Sequence, residues 1–393
     1  MKNILKRIIS KYENVVMNDK RILRIIHTLD PTLGGPSNVI IDNSLALIKK
    51  GYSIHILTSD KKNKFHKYHK KIKIFNKGPS INNYGLNFRL LLWLYRNRKN
   101  YDFFIIHELW RFYTLLARIF LKNYYVFTHG QLDPFFKKNL LKRLKKQAYW
   151  FLIEKKNLIK SNSILLTSEN EKKTLNNTYV KTDGINMNVI KYGIYKKKNN
   201  KKKISKAFYK KFKFLKNKKF YLFLGRFHEK KGCEIIIETI HRMKKNFKDI
   251  VLMAGPLCDS KYEKKIINLI SKHKLQKKII VSDMIIDDVK WGAIQESKAM
   301  ILPSHGENFG VSLVESLSLA KPVLTTNKVN IFNEILKYDA GLISNNNTNS
   351  FKKIFLKFNK YNMKKINKMS LNAKKCFNDK FNLKYDKNNL TFL

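Results

Sequence analysis

Short, unbroken apolar runs recur along this chain, and each stops at a loop residue before a helical spacing begins. They stand at 22–28, 53–58, 71–75, 103–107, 124–128 and 163–167, and again at 221–224, 250–254, 278–281, 299–302 and 322–325. They do not alternate apolar with polar, so each strand must be covered on both faces. Helical spacing at 37–50, 86–96, 112–121, 137–159, 233–245, 262–272, 288–297, 310–319 and 330–336 supplies the cover. Strand and helix in regular alternation define parallel α/β units, and 393 residues suffice for two of them facing across a cleft. The expected division is a basic amphipathic extension over 1–20, a first Rossmann-like domain over 21–195, a second over 196–375, and a tail over 376–393 that could return to the first domain. Within it, Ser37 is expected to cap the first helix and Gly51 to end it.

The segment Pro303 to Ser316 carries the chemistry. Pro303, Ser304, His305 and Gly306 end a strand, Glu307 sits on the loop, and after Asn308, Phe309 and Gly310 a helix begins with Val311, Leu313, Val314 and Leu317. Glu307 thus falls at a strand's carboxyl end, where open α/β sheets hold ligands, and Glu315 lies eight positions on, inside the helix. The N–H groups around Phe309 to Ser312 point into the same crevice and suit a phosphate. Two acids beside an anion site fit a sugar nucleotide, one accepting from sugar hydroxyls and the other from ribose hydroxyls.

Other strand ends converge there. Gly225 and Arg226 close one strand, and Lys230, Lys231 and Gly232 precede its helix. An Arg fork with a Lys point charge holds a diphosphate without metal. Gly34 and Gly35 follow the first strand, as a tight turn or as a close approach to a ligand. They do not spell the dinucleotide fingerprint. His129 and Gly130 end another strand, where the imidazole is either structural or functional. The pair Asp287 and Asp288 reads as a helix start, where acids are favoured, rather than as a metal motif.

Charge is lopsided: 81 Lys plus Arg against 28 Asp plus Glu, a net of +53. Such a surface attracts polyanions, yet the lysines are spread along the whole chain with much Asn, Ile, Phe and Tyr, a bias that codon composition explains. No specific nucleic-acid module is visible. Three cysteines in no metal spacing imply a reducing compartment and no structural zinc. No apolar run approaches the roughly 20 residues of a membrane span, and the first twenty residues lack a signal peptide's pattern. A cytoplasmic protein is expected, at most lying on the inner face of the membrane. Two stretches suit such contact. Ile4, Leu5, Ile8, Ile9, Tyr12 and Val16 form one helical stripe among Lys and Arg, and 137–160 mixes Leu140, Leu141, Leu144 and Trp150 with basic residues.

Taken in order, Gly34-Gly35-Pro36, His129-Gly130, Gly225-Arg226 with Lys231-Gly232, and Pro303 through Glu307-Asn308-Phe309-Gly310 to Glu315 resemble the retaining glycosyltransferases of family 4, with the GT-B fold. The resemblance spans about 21–380 and departs at 191–194, where Lys-Tyr-Gly-Ile replaces the usual Pro-Asn-Gly turn. It implies transfer of a hexosyl unit from a nucleotide sugar to a glycan or lipid-linked acceptor, in polysaccharide or lipopolysaccharide assembly, with no metal cofactor. It also implies roles: Gly34 and Gly35 near the donor phosphate, Arg226 and Lys231 on the diphosphate, Asn308, Phe309, Gly310 and Val311 along the donor, Glu307 on the transferred sugar, Glu315 on the ribose, and His129 beside the reacting hexose. Two other readings stay open: a nucleotide-sugar epimerase of the same fold, and a non-catalytic basic protein that binds polyanions.

Overall fold

The computed structural model describes residues 20–30, 36–61, 70–82, 84–132, 140–175, 181–197, 200–244, 246–257 and 260–385. Gly34, Gly35, the 1–20 extension apart from Lys20, and the last eight residues of the tail lie outside them.

Among the described residues, thirteen strands form two parallel sheets. In the first half they are β1 (Arg21–Ile26), β2 (Ser53–Thr58), β3 (Lys73–Asn76), β4 (Phe103–His107), β5 (Tyr124–Phe127), β6 (Ser163–Leu166) and β7 (Met187–Val189). In the second they are β8 (Phe220–Leu224), β9 (Ile250–Ala254), β10 (Ile279–Ser282), β11 (Met300–Leu302), β12 (Val323–Thr326) and β13 (Gly341–Ser344). The orders are β3-β2-β1-β4-β5-β6-β7 and β10-β9-β8-β11-β12-β13. Each reverses direction beside its first strand, so the crevice that takes ligands in such sheets lies at the carboxyl ends of β1 and β4 in one and of β8 and β11 in the other.

The unalternating apolar runs explain the sheets. Every residue of β5, β6, β8, β9, β11 and β12 is buried, because helices cover both faces. Phe208 and Ile204, on the helix Lys201–Lys211, turn an otherwise lysine-coated segment into cover for the second sheet. The first helix begins at Pro36, whose fixed φ suits a first helical position. Ser37 does not cap it; its Oγ donates to the Asp30 carbonyl (3.3 Å), and Gly51 ends the turn that follows at φ 91°. Asp287 and Asp288 open the helix Asp287–Glu296, with Asp288 paired to Lys203 at 2.8 Å.

The halves are joined through a seam. Ile194 N–H donates to the Phe381 carbonyl (3.0 Å), Leu383 N–H to the Ile194 carbonyl (3.2 Å), and Asn43 Nδ2 to the Gly193 carbonyl (3.2 Å). A Cβ on Gly193 would stand 2.1 Å from the Phe381 oxygen, so only glycine lets the two segments approach this closely. Residues 377–385 thus lie against the linker that leaves the first domain.

Candidate active site

Two glycines shape the loop after β8. The turn Glu229–Lys231 closes on Gly232 at φ 66°, ψ 34°, a left-handed conformation in which side chains are disfavoured. A Cβ there would also lie 2.1 Å from the Pro303 carbonyl oxygen. The close approach ties this loop to the one after β11, where His305 N–H donates to the Lys230 carbonyl at 2.8 Å. Lys231 Nζ consequently meets the Glu307 carboxylate directly.

Glu307 is held from its other side too. Its N–H donates to the Lys328 carbonyl and its carbonyl accepts from Asn330 N–H, each at 2.9 Å. Burial pushes the carboxyl up, but Lys231, Lys230 and Arg226 outweigh burial and hold it below the usual carboxylate range. Arg226 itself is exposed and acts on Glu307 through charge. Gly310, at φ 66° and ψ 57°, then caps the helix Val311–Ser318. The N–H groups of Val311 and Ser312 lie in the first turn and have no acceptor within the helix. Three cations and a helix N-terminus therefore surround one carboxylate.

Glu315 is buried on the inner side of that helix and pairs with Lys290 Nζ at 2.6 Å. The pair is felt across the cleft by Asp42, whose carboxyl burial lifts to about 6 while Lys197 and Lys290 oppose the rise and Glu315 adds to it.

On the facing lip, His129 follows β5 at φ 48° and stacks on Phe127 with centroids 4.6 Å apart. Its Nε2 lies 2.9 Å from His107 Nδ1 at the end of β4. Burial, with the Arg24 guanidinium assisting, pulls the His129 imidazole down to about 3, and His107 is lowered by burial, His129 and Arg24. Both rings are neutral. His107 Nε2 is buried and has no hydrogen-bond partner among the described residues. A buried lone pair costs less there than an unpaired buried N–H, so His107 donates from Nδ1 and His129 carries its own proton on Nδ1.

The two lips touch beside their functional residues. A Cβ on Gly130 would come within 2.7 Å of Asn308 Cβ, so the neighbour of His129 packs on the neighbour of Glu307. The side chains at 308 and 309 face the first domain and the seam. The Asn308 side chain turns away from the donor crevice to the first domain, and Phe309 is buried against Tyr192 and Phe381 at ring distances of 4.7 and 5.7 Å. The physical reason is the apolar seam between the halves, which takes the Phe ring and leaves only main chain at 308–309 for a donor. Glu307, Lys231, Arg226, Gly310, Val311 and Glu315 are brought together on one side, with His129 opposite. His107, Arg24 and Lys290 were not anticipated. His107 was legible only as a strand end, and its meeting with His129 depends on β4 and β5 being neighbours.

Solved structures of the same architecture place the fold. Sucrose-phosphate synthase from Thermosynechococcus elongatus superposes with a TM-score of 0.74 over 93% of this chain and 96% of its own, at 15% identity. Anabaena HepE, in complex with UDP and glucose, gives 0.72 over 93% and 96% at 15% identity. WaaG, a glycosyltransferase involved in lipopolysaccharide biosynthesis, gives 0.69 over 91% and 95% at 14% identity. The chain has the GT-B fold of two Rossmann-like domains.

Within that class, residues 205–376 match the family model described as Glycosyl transferases group 1, so the second half carries a domain of that family. An uncharacterized glycosyltransferase of Methanocaldococcus jannaschii is 32% identical over 139 residues, 35% of this chain and 37% of that one. The Escherichia coli O-antigen biosynthesis glycosyltransferase WclY is 30% identical over 105 residues, 27% of each chain. The chain thus spans well under half the length of the curated relatives it matches.

Proposed function

We propose that the protein is a retaining hexosyltransferase of the family 4 type, moving a sugar from a nucleotide-sugar donor to a glycan or lipid-linked acceptor in cell-surface polysaccharide or lipopolysaccharide assembly. The observation that carries this reading is the Lys231–Glu307 pair beside Arg226 and the open helix N-terminus at Gly310. Breaking a sugar–phosphate bond puts positive charge on the sugar and negative charge on the leaving diphosphate. Arg226, Lys231 and the first-turn N–H groups are preorganised for the latter. These cations do the work a divalent ion would otherwise do, which supports a metal-independent reaction. Glu307, kept ionised by its neighbours, is suited to accept from hydroxyls of the transferred sugar, and Glu315 from those of the ribose. His129, neutral and with its proton on Nδ1, can donate a hydrogen bond to the hexose without adding a charge. Retention rests on the family resemblance, with the leaving phosphate taking the acceptor's proton on the same face.

The test is release of nucleoside diphosphate from a panel of UDP-, GDP- and ADP-sugars, with and without EDTA. Turnover that survives EDTA and is lost in Glu307→Ala supports the proposal. Epimerised donor appearing without any acceptor supports the epimerase. No turnover with any donor, alongside strong salt-sensitive nucleic-acid binding, supports the polyanion-binding protein.

The acceptor side bears on location. Among the described residues no helix is long and apolar enough to cross a membrane. Three adjacent helices of the first domain nevertheless expose large apolar side chains: Phe88 and Leu92 on Phe88–Asn97, Ile119 on Phe112–Phe120, and Phe151, Leu152 and Ile159 on the helical run 140–160. The first two helices meet through Tyr95 and Phe120 (5.5 Å), the second and third through Lys160 Nζ and the Arg118 carbonyl (2.8 Å). Arg89, Arg96, Lys122, Lys156 and Lys160 are exposed on or beside the same helices. Apolar side chains ringed by cations suit an anionic bilayer surface, so peripheral attachment to the inner face of the cytoplasmic membrane is part of the proposal. Trp150 does not belong to this face; it is fully buried.

A further inference from the structure

We propose that Glu171 and Asn308 form a clasp across the cleft that sets the register of His129 against Glu307, which makes Glu171 a positioning residue for the reaction. The inference rests on the assignment of His129 and Glu307 to one site.

Glu171 lies on the helix Glu169–Leu175 and is buried. Its carboxylate accepts from Thr167 N–H (2.7 Å), Thr167 Oγ1 (2.9 Å) and Thr128 Oγ1 (3.3 Å), all within the first domain. The remaining donor comes from the second domain. The Asn308 amide faces the carboxylate 2.9 and 3.0 Å from its two oxygens, and two acceptors so close require the amide nitrogen on that side, so Nδ2 is assigned as the donor to Glu171. No lysine or arginine is hydrogen-bonded to Glu171 among the described residues, so the buried charge is held by neutral donors alone. Burial raises the Glu171 carboxyl above its usual range while the Thr167, Thr128 and Asn308 hydrogen bonds pull it back. Losing one donor in a buried setting is costly, and separating the lips would replace it with water.

Three further contacts make the pairing specific. Gly130 has no Cβ and so admits Asn308, whereas any side chain at position 130 would collide with it. Asn170 Nδ2 donates to Asn330 Oδ1 at 3.0 Å, a second bond between the halves. Asn330 N–H in turn holds the Glu307 carbonyl. Both polar bridges thus end on residues adjacent or bonded to Glu307, and Glu171 also accepts from Thr128, the residue before His129. Elsewhere the seam combines the apolar packing of Tyr192, Phe309 and Phe381 with the main-chain bonds of 193–194 to 381–383, and none of these contacts includes His129 or Glu307. The clasp therefore separates a closed arrangement, with both lips in place, from an open one.

Asn308→Asp sets carboxylate against carboxylate, and adding Glu171→Gln restores one donor and one acceptor with their sides exchanged. The full-length protein carrying N170C and N330C is treated with a short bismaleimide, and the rate of intramolecular crosslinking is followed without any donor present. Circular dichroism spectra and Tm are recorded for each variant. The expected result is a crosslinking rate at least tenfold slower in N308D, recovered to within threefold in N308D/E171Q. In the background without added cysteines, turnover of the best donor of the UDP-, GDP- and ADP-sugar panel should fall with N308D and recover with the exchange. Crosslinking of N308D at the parental rate overturns the proposal, as does an exchange variant no faster than N308D with both folded. If either variant fails to fold, Asn308→Ala decides, since it removes the donor without adding a charge: a rate at least tenfold below the parent supports the clasp, and a parental rate overturns it. Crosslinking needs no substrate, so it can fail while sugar transfer stands, or stand while transfer fails.

Discussion

Gly232 shows how a single position can carry a site. Its left-handed φ of 66° and the Pro303 oxygen 2.1 Å from a would-be Cβ both forbid a side chain. Gly232→Ala should therefore cost on the order of 2–3 kcal/mol of stability, read as a lowered denaturation midpoint. Because the displaced loop carries Lys231, donor turnover should fall more steeply than stability does. His129 supports a different prediction. With its imidazole drawn down to about 3 by burial and by Arg24, it stays neutral across the working range, so the parent's rate should show no limb near 6.5. Removing the Arg24 cation should bring such a limb into view between 3 and 6.5, measured as the pH dependence of kcat/KM. The sign is fixed by the neutral form being the competent one: activity in the variant falls as pH falls. Which residues share the crevice was legible in the sequence only where spacing encodes it. Glu307, Gly310 and Glu315 sit on one loop and one helix, and Arg226 and Lys231 close a neighbouring strand. For Asn308 and Phe309 the direction of the side chains was not legible, because side chains on an extended loop point to opposite sides and their partners are distant in sequence.

At the scale of elements, the unalternating runs located most strands within a residue or two, since burial on both faces leaves a signal that needs no partner. β7 (Met187–Val189) was missed because it is a three-residue edge strand with an exposed Asn188 and no apolar run. β13 (Gly341–Ser344) begins with a glycine and is half-buried at its centre, so its pattern resembles a loop. The helix Thr348–Asn359 could have been found, as Phe351, Phe355 and Phe358 recur at helical spacing. Within the helical run 140–160, periodicity could not reveal the π-helical turn Trp150–Glu154, which inserts one extra residue per turn and rotates Glu154 inward. Glu154 accepts from Thr114 Oγ1 (3.2 Å) and Asn157 Nδ2 (3.4 Å), but its Oε1 is buried without a side-chain or main-chain partner among the described residues. Burial lifts its carboxyl to about 7, against the hydrogen bonds from Trp110, Thr114 and Asn157. A folded value above the unfolded one means that the unfolded chain loses its proton first, so stability declines as pH rises from about 4.5 to 7. Glu154→Gln removes the penalty. The variant should match the parent at pH 4 and exceed it at pH 8 by on the order of 1–3 kcal/mol, measured by urea unfolding at both pH values.

For the whole molecule, a net charge of +53 is the largest field and the least specific one. It draws any polyanion, so binding to anionic vesicles alone would show little. Geometry sharpens the expectation. The exposed apolar side chains of the second domain, such as Phe214, Ile267 and Leu371, lie on separate helices and turns, whereas those of the first gather on three adjoining helices. Phe151 and Leu152 are 52% and 67% exposed where the π-helical turn shifts the helical register. If the face docks on lipid, insertion of these rings and chains should add a salt-resistant component to attraction that salt otherwise screens. Phe151→Glu with Leu152→Glu changes the charge by only two of 53, so diffuse electrostatics would hardly register it. Co-sedimentation with vesicles of phosphatidylglycerol and phosphatidylcholine should fall at least tenfold in this double variant at 0.5 M salt. The same two changes made at Leu371 and Ile267 should have no effect. Equal loss in both variants, or none in either, would assign the attraction to bulk charge and leave the three-helix face as ordinary solvent-facing surface.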